Sequence, residues 1–352
     1  MPALFVGALF VVVLLRRPDV PEASDLWLLS GSAMGTEFNV KVVAAADGVP
    51  TEEAVAAAVR DSIDAVDRAM STYRPDSELS RFNRHGTDPF PASDELLEVV
   101  SEALRVSTLS GGAFDVTVGP LVDAWGFGPT PVASPPDEVE IAALLAATGS
   151  EHLVIDPDRG TLRKLRPGLR CDLSAIAKGY AVDRVAERLA GMGLTRFMVE
   201  IGGEVRTSGR TAAGGVWRIG VERPDPARRL VWTAVPLADR AMATSGDYRN
   251  YVERDGVRIS HTIDPRRGRP ISHRLASVSV IHPSCMTADA LATALDVLGP
   301  DEARTLAERE GLAVLLLSRA PDAGFEEWTS SRWREIVGNT GGGADVAPGE
   351  DE

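Results

Sequence analysis

The stretch that decides the fold is FMVEIGGEVRTSGRTAAGGVWRIGVERPDPARRLVWTAVPL (197–237). It holds three short runs rich in β-branched, aromatic and other apolar residues: Phe197–Ile201, Trp217–Glu222 and Val231–Leu237. Turn residues (Gly, Ser, Pro) separate them, and runs of this length between turns read as strands. Working outward, Val257–His261, Ala276–Ile281 and Leu312–Leu317 are further strands. Strands therefore cluster in the second half and are often joined by short turns. That favours an α+β fold with a mainly antiparallel sheet over a doubly wound parallel one. Helical periodicity marks Thr51–Met70, with Val55, Val59, Ile63 and Val66 on one side. Asp94–Leu109, Asp137–Ala147, Lys178–Met192, Thr287–Leu298 and Asp301–Glu310 are further helices.

Composition bounds the function. The chain has 352 residues, enough for one large domain or two intimately packed ones. Fifty-one acids against 37 bases leave a net charge of −14, which argues against a general nucleic-acid binder. A local cationic pocket for a phosphate is still compatible with that charge. Lysine occurs only at Lys41, Lys164 and Lys178, so each is informative. Two cysteines, Cys171 and Cys285, exclude a disulfide scaffold and a four-cysteine zinc site. They read as two buried free thiols in preference to one disulfide.

At the N-terminus Ala3–Leu15 is almost unbroken apolar sequence, followed by Arg16-Arg17. Its 13 residues fall short of the ~20 needed for a spanning helix, and no basic region precedes it. A short membrane anchor, an atypical signal peptide and a buried strand all fit. We expect residues 1–17 to bring the protein close to a membrane. Residues 18–31 read as a linker and 32–337 as the folded body. The acidic tail 338–352 has nothing to bury and is expected to be disordered.

Five polar or Gly-rich segments lie between the patterned elements. In MSTYRPDSELSRFN (70–83), Tyr73 offers a stacking surface and Asn83 a polar contact for a planar ring. A plain capped loop, with Asp76 or Ser77 as N-cap, fits the same residues. In GGAFDVTVGPLVDAWGFG (111–128) the glycines admit close backbone approach to a ligand, and Phe114, Trp125 and Phe127 supply aromatic surface. A turn-rich loop over an aromatic core is the competing reading. In CDLSAIAKGYA (171–181) a strand ends at Asp172 and a helix begins near Ala175 or Ile176, with Ser174 as N-cap. Such a junction suits a phosphate, with Lys178 as its partner, and no Walker spacing is present. An ordinary capped helix with a solvated lysine is the alternative. The fourth segment runs from Thr244 to Gly268, where His261 at a strand end is available for proton transfer and Asp247 and Arg249 are placed to line the same cleft. The fifth is TADALATA (287–294). Asp289 and Thr293 share a helix face, and a carboxylate with a hydroxyl suits Mg²⁺, although both residues are also ordinary in a first helical turn.

Together these segments resemble the ApbE-type FAD:protein FMN transferases. DLSAIAKGYAVD (172–183) is similar to that family's central signature. MGTEF (34–38), MSTYRPDSELSRFN, GGAFDVTVGPL, VEIGGE (199–204), ATSGDYRNY (243–251), SHTIDPRRGRPI (260–271) and DALAT (289–293) resemble its other blocks, in order, from about Ser32 to Leu317. The resemblance implies a T-fold-like α+β architecture with flanking helices and an FAD cleft between two packed subdomains. It implies Mg²⁺-dependent transfer of FMN from FAD to a threonine or serine hydroxyl of a target protein, with release of AMP. The implied acceptor is a protein such as a subunit of a redox-driven membrane pump. By motif, Ala113, Phe114, Asp115, Asp172 and Lys178 would hold FAD, with Met34, Tyr73 and Ile263 as ring or ribose contacts. The Asp289 and Thr293 side chains and the Ala175 carbonyl would hold the metal. His261 would serve as base or phosphate partner, with Lys178 assisting the chemistry. Exported relatives begin with a signal peptide that often ends in a lipidated cysteine, and Ala3–Leu15 is short and has no such cysteine after it; a membrane-associated, cell-envelope location is the expectation and a cytoplasmic one the alternative. An FAD pyrophosphatase giving FMN and AMP, and a non-catalytic flavin-binding protein, are the alternatives.

Overall fold

Apolar residues that alternate along a strand leave it with two faces to cover, and this sheet is covered on both. The computed structural model describes residues 26–44, 50–128, 132, 134–225, 228, 230–246, 251–254, 257–322 and 324–340. It opens with a hairpin of β1 (Leu26–Ala33) and β2 (Thr36–Val43). Helices α1 (Glu52–Met70) and α2 (Glu78–Arg84), the short β3 (Phe90–Pro91) and α3 (Asp94–Leu109) follow. Next come α4 (Gly119–Ala124), α5 (Glu138–Ala147), β4 (Leu153–Asp156), β5 (Thr161–Lys164) and α6 (Ala177–Gly191). The strand-rich half supplies β6 (Phe197–Ile201), β7 (Glu204–Ser208), β8 (Trp217–Glu222), β9 (Val231–Leu237) and β10 (Ala241–Gly246). It continues with β11 (Tyr251–Arg254), β12 (Val257–Ser260), β13 (Ile263–Asp264), β14 (Arg269–Pro270) and β15 (Leu275–His282). The chain closes with α7 (Cys285–Arg309), β16 (Ala313–Arg319), β17 (Phe325–Thr329) and α8 (Ser331–Thr340).

Among the described residues the main sheet has the order β1-β2-β6-β7-β10-β15-β16-β17, and every neighbouring pair is antiparallel. The mixed α+β, antiparallel architecture expected from the sequence is therefore the one found. One face carries Val278, Val280, Val314 and Leu316 into a core shared with α1, α3, α6 and α7. The other face carries Met242, Ile281, Leu315 and Leu317 against the β8–β9 hairpin and Trp333 of α8. Serines and threonines start several helices by accepting a first-turn N–H. The choice left open between Asp76 and Ser77 goes to Ser77, whose hydroxyl accepts from Ser80 N at 2.9 Å.

The structure corrects two boundaries. Residues 26–31 of the predicted linker belong to β1, so the folded body starts before Ser32. At the other end α8 runs past Val337 into the predicted tail. The expected membrane-proximal segment 1–17 and residues 341–352 of the expected tail lie outside the described residues. The helices read separately as Thr287–Leu298 and Asp301–Glu310 are found as two helical segments of α7, parted by a kink at Gly299 (φ 75°), a left-handed conformation that glycine adopts freely, followed by Pro300. No helix among the described residues is long and apolar enough to cross a membrane. Cys171 and Cys285 are free and buried, as expected.

Candidate active site

The region around Lys178 is built by glycines at two places, the α6–α7 crossing and the β6–β7 reversal. Helix α6 crosses α7 at Gly179, where an added Cβ would stand 2.4 Å from the Cys285 carbonyl oxygen. That closeness lets Gly179 N–H donate to Asp289 Oδ2 at 3.0 Å. The β6–β7 reversal passes through Gly202 (φ 64°) and Gly203 (φ 105°), both left-handed, and delivers Glu204 to the same spot. Gly202 also makes room for the Lys178 stem, since a Cβ there would lie 3.2 Å from Lys178 Cδ.

These approaches bring one ammonium between two buried carboxylates. Lys178 Nζ lies 3.1 Å from Glu204 Oε1 and 3.7 Å from Asp289 Oδ2. Asp289 is 2% exposed and Glu204 3%. Burial pushes the Glu204 carboxyl up to about 8, with the Lys178 charge acting against it and the Asp289 charge adding to it. Burial raises Asp289 too, while Lys178 and the Gly179 N–H oppose it. For Lys178 burial alone would lower the value, and Asp289 and Glu204 outweigh it, so the ammonium stays charged. Glu204 Oε2 is buried with no hydrogen-bond partner.

A cavity of about 380 Å³ opens beside this cluster. Tyr73, Ala113, Phe114, Asp115, Asp172, Ala175, Lys178, His261, Ile263, Asp289 and Thr293 all line it. The segments read from sequence are thus brought together from both halves of the chain. Tyr73 stands at the mouth and is 67% exposed, which leaves a ring face free for stacking. His261, just after β12, meets Phe127 edge to face at 6.4 Å between ring centroids. The neighbouring Thr262 hydroxyl donates to the fully buried Asp296 at 3.3 Å. Thr293 Oγ1 lies 3.2 Å from Ser245 Oγ.

Other predicted residues have different places. Met34 does not line the cavity; it sits at the tip of the β1–β2 hairpin with φ 51°. Asn83 is not aimed at a ring: its amide donates to Cys171 O and accepts from Cys171 N, each at 2.8 Å, fixing the chain just before Asp172. Ser174 does not cap α6. That helix starts at Ala177 after Ile176 with no side-chain cap, while Ser174 N and Oγ both donate to Asp172 Oδ1 at 2.8 and 2.5 Å. Asp115 Oδ1 accepts from Thr117 N and Oγ1, and its Oδ2 accepts from Ser150 N at 2.9 Å, so it also braces the cavity wall. Trp125 Nε1 donates to Gly268 O at 2.9 Å and ties two Gly-containing segments together. Asp247 and Arg249 lie outside the described residues. Glu204 and Asp296 are site residues that sequence reasoning misses. Glu204 had a signal, an acid directly after two glycines in VEIGGE.

A sequence model described as the ApbE family matches residues 34–316. The chain belongs to the ApbE family. A curated relative from Vibrio cholerae, named FAD:protein FMN transferase, is 48% identical over 312 residues, covering 88% of this chain and 92% of the relative. The Escherichia coli K12 protein of the same name is 38% identical over 344 residues, covering 95% and 96%. The solved flavin transferase ApbE from Vibrio cholerae superposes with a TM-score of 0.82 at 45% identity, covering 89% of this chain and all of that one. The apo form of the Pseudomonas stutzeri flavinyl transferase ApbE also gives 0.82, at 40% identity over 92% of this chain and 98% of that one. By fold and family this chain is a flavin transferase.

The donor set fits a hard divalent cation. Asp289 offers a carboxylate, Thr293 a hydroxyl and Ala175 a carbonyl, and all three residues line one cavity. Glu204, whose Oε2 is buried without a hydrogen-bond partner, lines the same cavity. Among the described residues no group of three or more His, Cys, Asp and Glu could hold a metal alone. A cation here would complete its shell with water and substrate oxygens, the habit of Mg²⁺.

Proposed function

We propose that this transferase moves FMN from FAD to a threonine or serine hydroxyl of its acceptor protein, depends on Mg²⁺ and releases AMP. The observation that supports this most is the cluster of Asp289, Thr293, Lys178 and Glu204 in the same cavity as His261 and Tyr73. In the reaction the acceptor hydroxyl oxygen bonds to the FMN phosphorus. The bridging P–O bond breaks, AMP leaves with that oxygen, and the hydroxyl proton goes to a base. His261, at a strand end on the cavity wall, is the residue for that proton. Lys178 brings a fixed positive charge to the pyrophosphate oxygens, where charge builds as the bridge breaks. Tyr73 at the mouth offers its face to the flavin ring. Asp289, Thr293 and the Ala175 carbonyl would hold Mg²⁺, which when bound neutralises phosphate charge. A membrane-proximal location in the cell envelope, reached through residues 1–17, and a subunit of a redox-driven membrane pump as acceptor complete the reading.

The test is incubation with FAD, MgCl₂ and a threonine-bearing acceptor domain, followed by intact mass of the acceptor and quantitation of AMP. A gain of FMN minus water with matching AMP, abolished by EDTA and by Asp289→Ala, is the expected result. Free FMN and AMP without adduct would instead support the pyrophosphatase. Transfer that survives Asp289→Ala would remove the metal assignment.

A further inference from the structure

We propose that Lys178 is an exchangeable counter-ion, whose ammonium competes with a divalent cation for Asp289 and is kept at the site by Glu204. This rests on the Mg²⁺ dependence proposed above. Two buried carboxylates share a single ammonium. The nearer contact, 3.1 Å to Glu204, is at hydrogen-bond distance; the 3.7 Å contact to Asp289 is an ion pair only. Glu204 Oε2 is buried with no hydrogen-bond partner, so Glu204 keeps an acceptor open for the ammonium. A cation arriving at Asp289 meets the ammonium at short range, and like charges at this distance repel strongly in a part-buried site.

The ammonium has somewhere to go. Its four-carbon stem is flexible, passes the bare Gly202 and keeps 27% of its side-chain surface open. Glu204 is fixed on β7 directly after the Gly202–Gly203 reversal. Released from Asp289, Lys178 stays on Glu204 and presents its remaining N–H bonds to the cavity, where a pyrophosphate would lie. Glu204 is in this sense a positioning residue, acting through Lys178.

The experiment titrates the full chain with MgCl₂, then MnCl₂, without FAD, reading affinity by calorimetry and by the thermal shift. Lys178→Met removes the competitor and is expected to tighten cation binding roughly tenfold. Glu204→Gln leaves the ammonium on Asp289 and is expected to weaken it by a similar factor. In the Lys178→Met background the Glu204→Gln change is expected to move affinity less than about threefold, because no ammonium remains to be held. Lys178→Gln replaces Lys178→Met should the latter not fold. Equal weakening in both backgrounds would make Glu204 a direct ligand and overturn the exchange. A lower unfolding temperature with unchanged affinity would make Glu204 structural and do the same. If Asp289→Ala abolishes cation binding but Lys178→Met leaves it unchanged, only the exchange falls. If neither cation binds the unsubstituted protein, the Mg²⁺ reading falls and takes the exchange with it.

Discussion

Gly179→Ala is expected to lower both stability and transfer rate, although alanine is the better helix former. In an open helix the change would gain about 1 kcal/mol. Here the new Cβ would stand 2.4 Å from Cys285 O, 2.7 Å from Cys285 C and 2.8 Å from Asp289 Cβ. The first two are main-chain atoms of α7 and cannot rotate aside. Reaching an ordinary 3.4 Å contact from 2.4 Å needs the helices to part by about 1 Å. That movement also stretches the Gly179 N–H bond to Asp289 from 3.0 Å to beyond bonding range. Overpacking costs ~1–3 kcal/mol and a lost bond to a charged group ~1.5–3. The net loss is about 2–5 kcal/mol, or roughly 3–7 °C in unfolding temperature for a chain of this size. Asp289 shifts by the same ångström, a misplacement that can cost ~100-fold in rate. Circular dichroism against temperature and the acceptor-mass assay read the two effects. Gly191→Ala is the matched control at the end of the same helix, where nothing lies within 4 Å of the new Cβ. It is expected to be neutral or to stabilise by up to ~1 kcal/mol. A Gly179→Ala protein that unfolds no earlier than the original and keeps its rate would refute the close helix approach as the device that places Asp289.

Asn83→Leu removes both bonds to Cys171 and leaves its main-chain N–H and C=O without the amide, so a loss of ~2–4 kcal/mol in denaturant unfolding is expected, with weaker FAD binding through Asp172. Burial pushes the Cys171 thiol up to about 12 and Cys285 well above its ordinary value, so neither is ionised at pH 8. A thiol-reactive chromophore should therefore label none of the native protein and both cysteines once it is unfolded; labelling before unfolding would contradict the burial. Burial also holds His282 below its ordinary value of 6.5, against the Ser284 backbone bond and Glu102. The fold thus prefers the neutral ring, so stability is full above pH ~6.5 and falls as pH drops below it. His282→Gln is expected to flatten that part of the stability curve, and an unchanged slope would clear His282 of the effect.

The strands at Phe197–Ile201, Trp217–Glu222 and Val231–Leu237 were legible to the residue because turn residues flank each apolar run. β1 was not. Its sequence LWLLSGSA puts Leu26 and Leu28 outward on a sheet edge, so hydrophobicity does not alternate with burial. The turn-like Ser and Gly beside it read as linker. At the site, residue types were legible and partners were not. A lysine in the first turn of a helix, with no acid near it in sequence, reads as a partner for phosphate. The fold supplies two acids instead, one across the β6–β7 reversal and one from α7. Even the free N–H groups of the α6 start are partly committed, because Gly179 gives its own to Asp289, 110 residues away. Ser174 reads as the cap for the same local reason, but its hydroxyl donates to Asp172. Local sequence can nominate the groups that meet a pyrophosphate. It cannot report how much of their charge is already spent inside the protein. That balance depends on Gly179, which lets α6 and α7 touch at the backbone, and on Gly202 and Gly203, whose left-handed turn brings Glu204 to Lys178. The electrostatics of this site is therefore set by residues that carry no charge.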